Sequence, residues 1–315
     1  MESLLMIKEK IKSLYASYHN IIVPTVKAIV AFIMLIAIND KIGYMTTLDN
    51  FFVVLILTLI CAFSPRVVTI IVGFVVVLGH LYALSVELAL IAGAITAAMF
   101  FLYLRFGSKD LILLVLVPIS FYIGLPYMMP LMVGVLCGPT AVLTLCCGIV
   151  IHFYIDFVSV NALTIQGMTA TGSMDKIRVG IDGIIHNEKM FLALLSFAAA
   201  TIVVHILRRQ AIDNARNIAI FTGAMTNVIL SFMGLLIFDN GPRVLGMLLG
   251  TLIAVPLTMF IGFLFVGLDY SRTERVQFED KNYYYYVKVV PKMNIEAPSK
   301  TVKKINTQRQ QTQYK

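Results

Sequence analysis

LILLVLVPISFYIGLPYMMPLMVGVLCGPTAVLTLCCGIVIHFYI, residues 111–155, runs for 45 residues without an Asp, Glu, Lys or Arg. A globule of 315 residues has no interior large enough to hide such a run together with its equally apolar neighbours. A bilayer does, because about 20 apolar residues in helical form cross its hydrocarbon core. Outward from this stretch the pattern persists: from about residue 21 to residue 268 charges appear only as short breaks between apolar runs. Apolar residues make up 59% of the chain and charged residues 13%, where a soluble domain is about one quarter charged. The fold class is therefore all-α, a polytopic transmembrane helical bundle with the lipid bilayer as its first partner.

Both ends are wetter than the middle. In residues 1–20, Leu4, Ile7, Ile11, Leu14, Tyr15 and Tyr18 recur at helical spacing with Lys8, Lys10 and Lys12 between them. That pattern predicts an amphipathic helix in the headgroup layer rather than a cleaved signal peptide. Residues 21–268 form the transmembrane domain, and residues 269–315 a tail rich in Lys and Arg.

Basic residues mark the cytoplasmic side of membrane proteins, whereas acids carry little topological information. With both termini inside, spans at 24–39, 50–64, 67–86, 88–104, 190–207, 217–238 and 244–268 put about 20 of the 25 basic residues in the cytoplasm. The 17 acids divide almost evenly on the same layout. Residues 111–189 must then cross an odd number of times. One crossing plus broken or re-entrant helices near 118–140 gives about eight spans, and ten if residues 157–174 also cross.

Prolines and glycines interrupt the charge-free stretch at Pro118, Gly124, Pro126, Pro130, Gly134, Gly138 and Pro139. An interior proline removes a helical hydrogen bond, and in lipid the freed carbonyl must find a partner or a wet cavity. Discontinuous helices of this kind hold the solute in many secondary transporters. Pro118, Pro126, Tyr127, Pro130, Gly134, Gly138 and Thr140 are accordingly candidate solute-lining residues. The competing reading is two kinked helices joined by a turn at 126–130, with Gly134 and Gly138 as a close-packing pair. Uncharged polar residues Asn161, Thr164 and Gln166 extend the candidate set, although their composition equally fits an outer loop. Residues 175–189 place Ile177, Ile181, Ile184 and Ile185 on one face, as a helix lying on the outer surface would.

Ionisable groups within apolar segments are few. Lys27, Glu87 and Asp156 fall near span ends, and His80, His152 and His205 are the histidines that could carry protons. Asn227, close to Thr222 and Thr226, reads as an interhelical hydrogen-bonding residue. Gly246 and Gly250 suggest a tight helix contact within the chain or between copies, which leaves a homo-oligomer open. Cys61, Cys137, Cys146 and Cys147 lack metal-ligand spacing and read as buried thiols. No nucleotide loop, metalloprotease helix or nucleophile elbow occurs, so the expectation is a protein that is not an enzyme, with no cofactor, no metal and no nucleic-acid partner.

In the tail, residues 276–278 and 283–290 are rich in strand formers around a turn at 279–282, predicting a short β-hairpin over 276–290. Its tyrosines Tyr283, Tyr284, Tyr285 and Tyr286 are candidate partner-binding residues. Residues 297–315 are polar and basic and are expected to be disordered. The run DYSRTERVQFEDKNYYYYVKVVPK, residues 269–292, together with ILRRQAID, residues 206–213, resembles an uncharacterised bacterial family of polytopic membrane proteins. The resemblance implies a bacterial cytoplasmic-membrane protein and transfers no site residue. Two functions are expected to compete: a transport or permease subunit for a small solute, or a scaffold that recruits envelope-assembly or division proteins through the tail.

Overall fold

The computed structural model describes residues 2–106, 110–168, 173–210, 214–237, 244–265, 274–279 and 284–289. The chain divides into two compact units, Ile11–Val266 and a smaller one of Met1–Lys10 with Gly267–Lys315.

The described chain is helical through the body: α1 (Glu2–Ser17), α2 (His19–Ile42), α3 (Phe51–Phe63), α4 (Arg66–Leu84), α5 (Val86–Phe106), α6 (Leu113–Ile123), α7 (Met128–Leu136), α8 (Ala141–Gly167), α9 (Ser173–Ile185), α10 (Glu188–Leu207), α11 (Ala215–Ile237) and α12 (Val244–Phe265). Two strands, β1 (Glu274–Glu279) and β2 (Tyr284–Val289), pair antiparallel with Gln277 opposite Tyr286 and Phe278 opposite Tyr285. Residues 290–315, and with them the basic end, lie outside the described residues, as does Tyr283.

Among the described residues six segments are long and apolar enough to cross a membrane: His19–Ile42, Arg66–Leu84, Ala141–Gly167, Met174–Leu207, Ala215–Ile237 and Val244–Phe265. The chain is thus a helical membrane protein. Two expected full spans, 50–64 and 88–104, are not among these six, and the first is clearly too short. α3 has 13 residues, a rise of roughly 20 Å against a hydrocarbon core of about 30 Å. Its end is held by Lys27, whose Nζ donates to the Ser64 carbonyl at 3.0 Å.

The bundle is built inside out relative to a soluble protein. Phe52 (73% exposed), Phe63 (79%) and Leu252 (71%) face outward, large apolar side chains of the kind that lipid or another apolar body covers. Small residues set the close contacts within. A Cβ on Gly148 would stand 2.7 Å from Val117 Cβ, and one on Gly223 would stand 2.1 Å from Val204 Cγ2.

Three apolar clusters fill the interior. The first joins α2, α4 and α5 to α6 and α8 through residues such as Leu35, Leu81, Leu88 and Val158. The second gathers α6, α7, α8 and α10 around Val117, Met129, Ile149 and Phe197. The third joins α7 and α10 to α11 and α12 around Leu131, Val204, Ile220 and Ala254. The short helices α6 and α7 take part in all three between them, so the interrupted stretch lies at the centre of the bundle.

Residues 161–167 are not a loop. They continue α8 to Gly167, with Asn161 Nδ2 donating to the Phe157 carbonyl one turn back. α9 is the amphipathic helix expected beyond them, with Ile181 and Ile185 exposed and an Arg178–Asp182 pair at 3.9 Å on its surface.

Candidate functional site: a helical hairpin and the cavity at its tip

α6 and α7 are two half-helices, and the break between them is local chemistry. Gly124 adopts φ +83°, a left-handed conformation that ends a helix at low cost only in glycine. Its N–H donates to the Phe121 carbonyl, and the Leu125 N–H to the Ser120 carbonyl at 2.8 Å, which closes the end of α6. Met128 and Met129 N–H groups then donate to Leu125 and Pro126 carbonyls, opening α7. The tip is thus a self-satisfied turn. Pro130 is the third residue of α7, where a helix has no partner for an N–H in any case, so it breaks nothing. Its carbonyl accepts the Thr201 hydroxyl at 3.2 Å. Of the two outcomes expected for a freed carbonyl, a partner or a cavity, the chain supplies partners here, and Pro130 lines neither of the cavities described below.

Contacts fix the direction of each half. α6 runs alongside α8, Val117 against Gly148 and the Phe121 ring stacked on His152 at 4.1 Å. α7 runs alongside α10, Gly134 against Val204. Arg208 Nη2 donates to the Cys137 carbonyl at 2.7 Å, and the Cys137 thiol meets the Asp110 carboxylate. Residues 110 and 137 therefore lie at one level, beside the end of α10. The tip meets Phe197, tenth of the 20 residues of α10, through Tyr127 at 5.9 Å between ring centroids. The hairpin therefore reaches the middle of α10 and turns back to the level from which α6 starts.

Beyond the tip opens a cavity of about 260 Å³. Phe121, Pro126 and Tyr127 form its hairpin side, His152, Phe153 and Asp156 its α8 side, Ser196 and Phe197 its α10 side, and Ser231 and Leu235 its α11 side. The floor is aromatic: Phe121 lies 6.0 Å from Phe197 with the rings 23° from parallel, and 5.7 Å edge-on from Phe153. The mouth is charged, with Glu188 and Lys189 lining it beside Asp156. Asp156 Oδ1 is held by Lys41 Nζ at 3.0 Å. Lys41 itself lines a second, smaller and apolar cavity of about 70 Å³ between α2, α4, α6 and α8, and His152 borders both.

The candidate residues divide accordingly. Pro126 and Tyr127 line the larger cavity and Pro118 the smaller one. Gly134 is buried against Val204 and the Thr201 carbonyl. Gly138 has only Thr140 Oγ1 nearby, at 4.0 Å, so Gly134 and Gly138 are no packing pair. Gly138 and the exposed Thr140 turn the chain at the Arg208 end, away from the cavity. Asn161 lies in the last turns of α8 with exposed Thr164 and Gln166, and none of the three lines either cavity. Tyr284, Tyr285 and Tyr286 lie in β2.

Phe121, Phe153, Phe197, Ser196 and Ser231 carried no signal in the sequence, since aromatic and hydroxyl residues are common in any membrane helix. His152 and Asp156 stood out only as ionisable. His205 sits beside Arg208 as its spacing implied, Nδ1 to Nη2 3.2 Å. Asn227 is corrected: it makes no interhelical hydrogen bond among the described residues, and Thr222 and Thr226 donate back along α11 to Ile218 and Thr222 carbonyls. Gly250 packs on Tyr127 while Gly246 has open space beside it, so those two glycines share no contact. Among the described residues no three His, Cys, Asp or Glu side chains gather as metal ligands do.

No protein-family model, curated protein or solved structure matches the chain.

Proposed function

We propose that the chain is a transport or permease subunit of the bacterial cytoplasmic membrane, with its solute site in the cavity at the tip of the α6–α7 hairpin. The observation that carries this reading is the hairpin itself, two half-helices whose junction forms one wall of a cavity at mid-helix depth. A membrane protein exposes irregular backbone at such depth where protein buries it or a cavity receives it. The sequence layout of about eight crossings with both termini in the cytoplasm agrees with this arrangement. α6 and α7 enter and return without crossing, α8 crosses alone, and the odd parity of residues 111–189 is kept. On that layout Asp156, Glu188 and Lys189 belong to the outer side, and the cavity opens there.

The test is thiol accessibility in a variant with Cys61, Cys137, Cys146 and Cys147 replaced by alanine. Tyr127→Cys and Ser231→Cys introduced singly should react in whole cells with a membrane-impermeant maleimide. Lack of modification at both positions, in cells and in detergent alike, would remove the cavity from consideration.

A scaffold role is the second reading, favoured by one observation. β1 and β2 form a two-stranded sheet, and a sheet of two strands has two open edges available for pairing. Deletion of residues 270–315 separates the two: a transporter keeps solute uptake, whereas a scaffold loses its copurifying partners.

A further inference from the structure

Asn227 is completely buried, and neither its Oδ1 nor its Nδ2 has a hydrogen-bond partner among the described residues. Buried polar groups are nearly always satisfied, and each exception calls for a reason. The position of Asn227 supplies one. Gly223 of α11 packs on Val204 and the Ala200 carbonyl, and Gly234 packs on Leu192, all of α10. Residues 223, 227, 231 and 234 recur at helical spacing and so share the face of α11 turned to α10. Ser231 on that face lines the cavity opposite Ser196. Asn227 follows it one turn deeper, a step of about 5–6 Å.

A second relation gives the same depth. A Cβ on Gly223 would also stand 3.3 Å from Leu131 Cδ2 of α7. α7 and α11 run in opposite directions, so one turn from Gly223 toward the cavity is Asn227, and one turn from Leu131 is Tyr127. The orphan amide therefore sits at the level of the hairpin tip, one turn below Ser231 of the cavity wall, and does not itself line the cavity.

We infer that Asn227 is the deep hydrogen-bonding residue of the solute site, taking an uncharged donor–acceptor group such as a hydroxyl or carboxamide. A free carboxamide offers one acceptor and two donors, and matches a group that can both give and accept. The face it occupies carries serines and glycines without a charge, whereas Asp156, Glu188 and Lys189 are confined to the mouth. A charged group entering the floor would find nothing to neutralise it. A solute with an apolar or aromatic body fits between, against Phe121, Tyr127 and Phe197. The inference rests on the cavity being the solute site.

The experiment uses the full chain, purified in detergent, with its four native cysteines replaced by alanine. Ser231→Cys, Asn227→Cys and the core control Ala219→Cys are each treated with iodoacetamide and with iodoacetate, reagents of equal reach that differ in charge. Ser231→Cys should react with both, Asn227→Cys with iodoacetamide alone, and Ala219→Cys with neither. If Ser231→Cys reacts and Asn227→Cys resists both reagents, the cavity stands and the role of Asn227 falls. If neither position reacts, the cavity reading falls and the inference with it. Equal reaction of Asn227→Cys with iodoacetate overturns the uncharged class. As an independent readout, Asn227→Leu should raise the Tm of the detergent-solubilised protein, because it removes an amide with no partner among the described residues. A lowered Tm means the amide has a structural partner and overturns the inference.

Discussion

The Arg208 guanidinium donates to the Cys137 main-chain carbonyl across a 2.7 Å bond, and this joins the end of α10 to the end of α7. The bond closes the base of the α6–α7 hairpin, where Asp110 also meets the Cys137 thiol. A half-helix of nine residues has little stability of its own, so its position depends on such ties and on packing. Arg208→Leu should lower unfolding stability by about 2 kcal/mol, the range for a charge-assisted hydrogen bond with a partner left behind. Arg208→Lys should recover part of it. Thermal unfolding in detergent reads both, and equal stability of all three proteins would mean that packing alone seats α7.

The two glycines that opens α12 are expected to behave oppositely. A Cβ on Gly250 would fall 2.7 Å from Tyr127 Cδ2, while one on Gly246 would meet nothing within 4 Å. Gly250→Ala should cost about 1–3 kcal/mol by overpacking and push Tyr127 toward the cavity. Gly246→Ala should be neutral or stabilising by up to about 1 kcal/mol, from helix propensity. Similar melting temperatures for the two variants would contradict the packing described.

The difference between those glycines also illustrates what the sequence can and cannot convey. Residues 111–155 announced a membrane bundle through their lack of charge, and Gly124 with Pro126 announced a break, because backbone geometry there is local. Asn161, Thr164 and Gln166 misled, since an uncharged polar run fits loop and helix alike until tertiary contact decides. Pro130 looked disruptive but fell where a helix has no bond to lose. The cavity could not be read in advance. Phe121, Phe153 and Phe197 come from three helices, and only the parallel seating of α6 on α8 and of α7 on α10 brings their rings together. The missing partner of Asn227 is likewise a property of the packed bundle.

The Lys41–Asp156 pair links α2 to α8 at the edge of the larger cavity, with side chains 38% and 42% exposed. Pairs this wet contribute little, so a double-mutant cycle on Lys41→Ala and Asp156→Ala should yield a coupling of roughly 0.5 kcal/mol. The stronger effect should fall on the cavity. Releasing Asp156 from Lys41 adds an unpaired anion at the mouth, and modification of Ser231→Cys by an anionic reagent should slow in the Lys41→Ala background. An unchanged rate would place Asp156 outside the path to Ser231.

His80 is fully buried and organises the turn between α2 and α3. Its Nδ1 accepts the Met45 N–H at 3.1 Å, so the ring proton resides on Nε2 and is donated to Asn39 Oδ1 at 3.0 Å. Asn39 Nδ2 in turn donates to the Leu48 carbonyl at 3.1 Å. Each polar atom in the chain of bonds satisfies another, which is the condition under which a buried polar network stabilises. Asn39→Ala leaves the ring N–H and the Leu48 carbonyl without their partner and should cost about 1–3 kcal/mol. His80→Leu removes the acceptor of the Met45 N–H, so amide exchange at Met45 should accelerate while Ala31, buried mid-helix in α2, keeps its protection. Fast exchange at Ala31 as well would mean that α2 itself depends on His80, and the network would then be holding a helix rather than a turn.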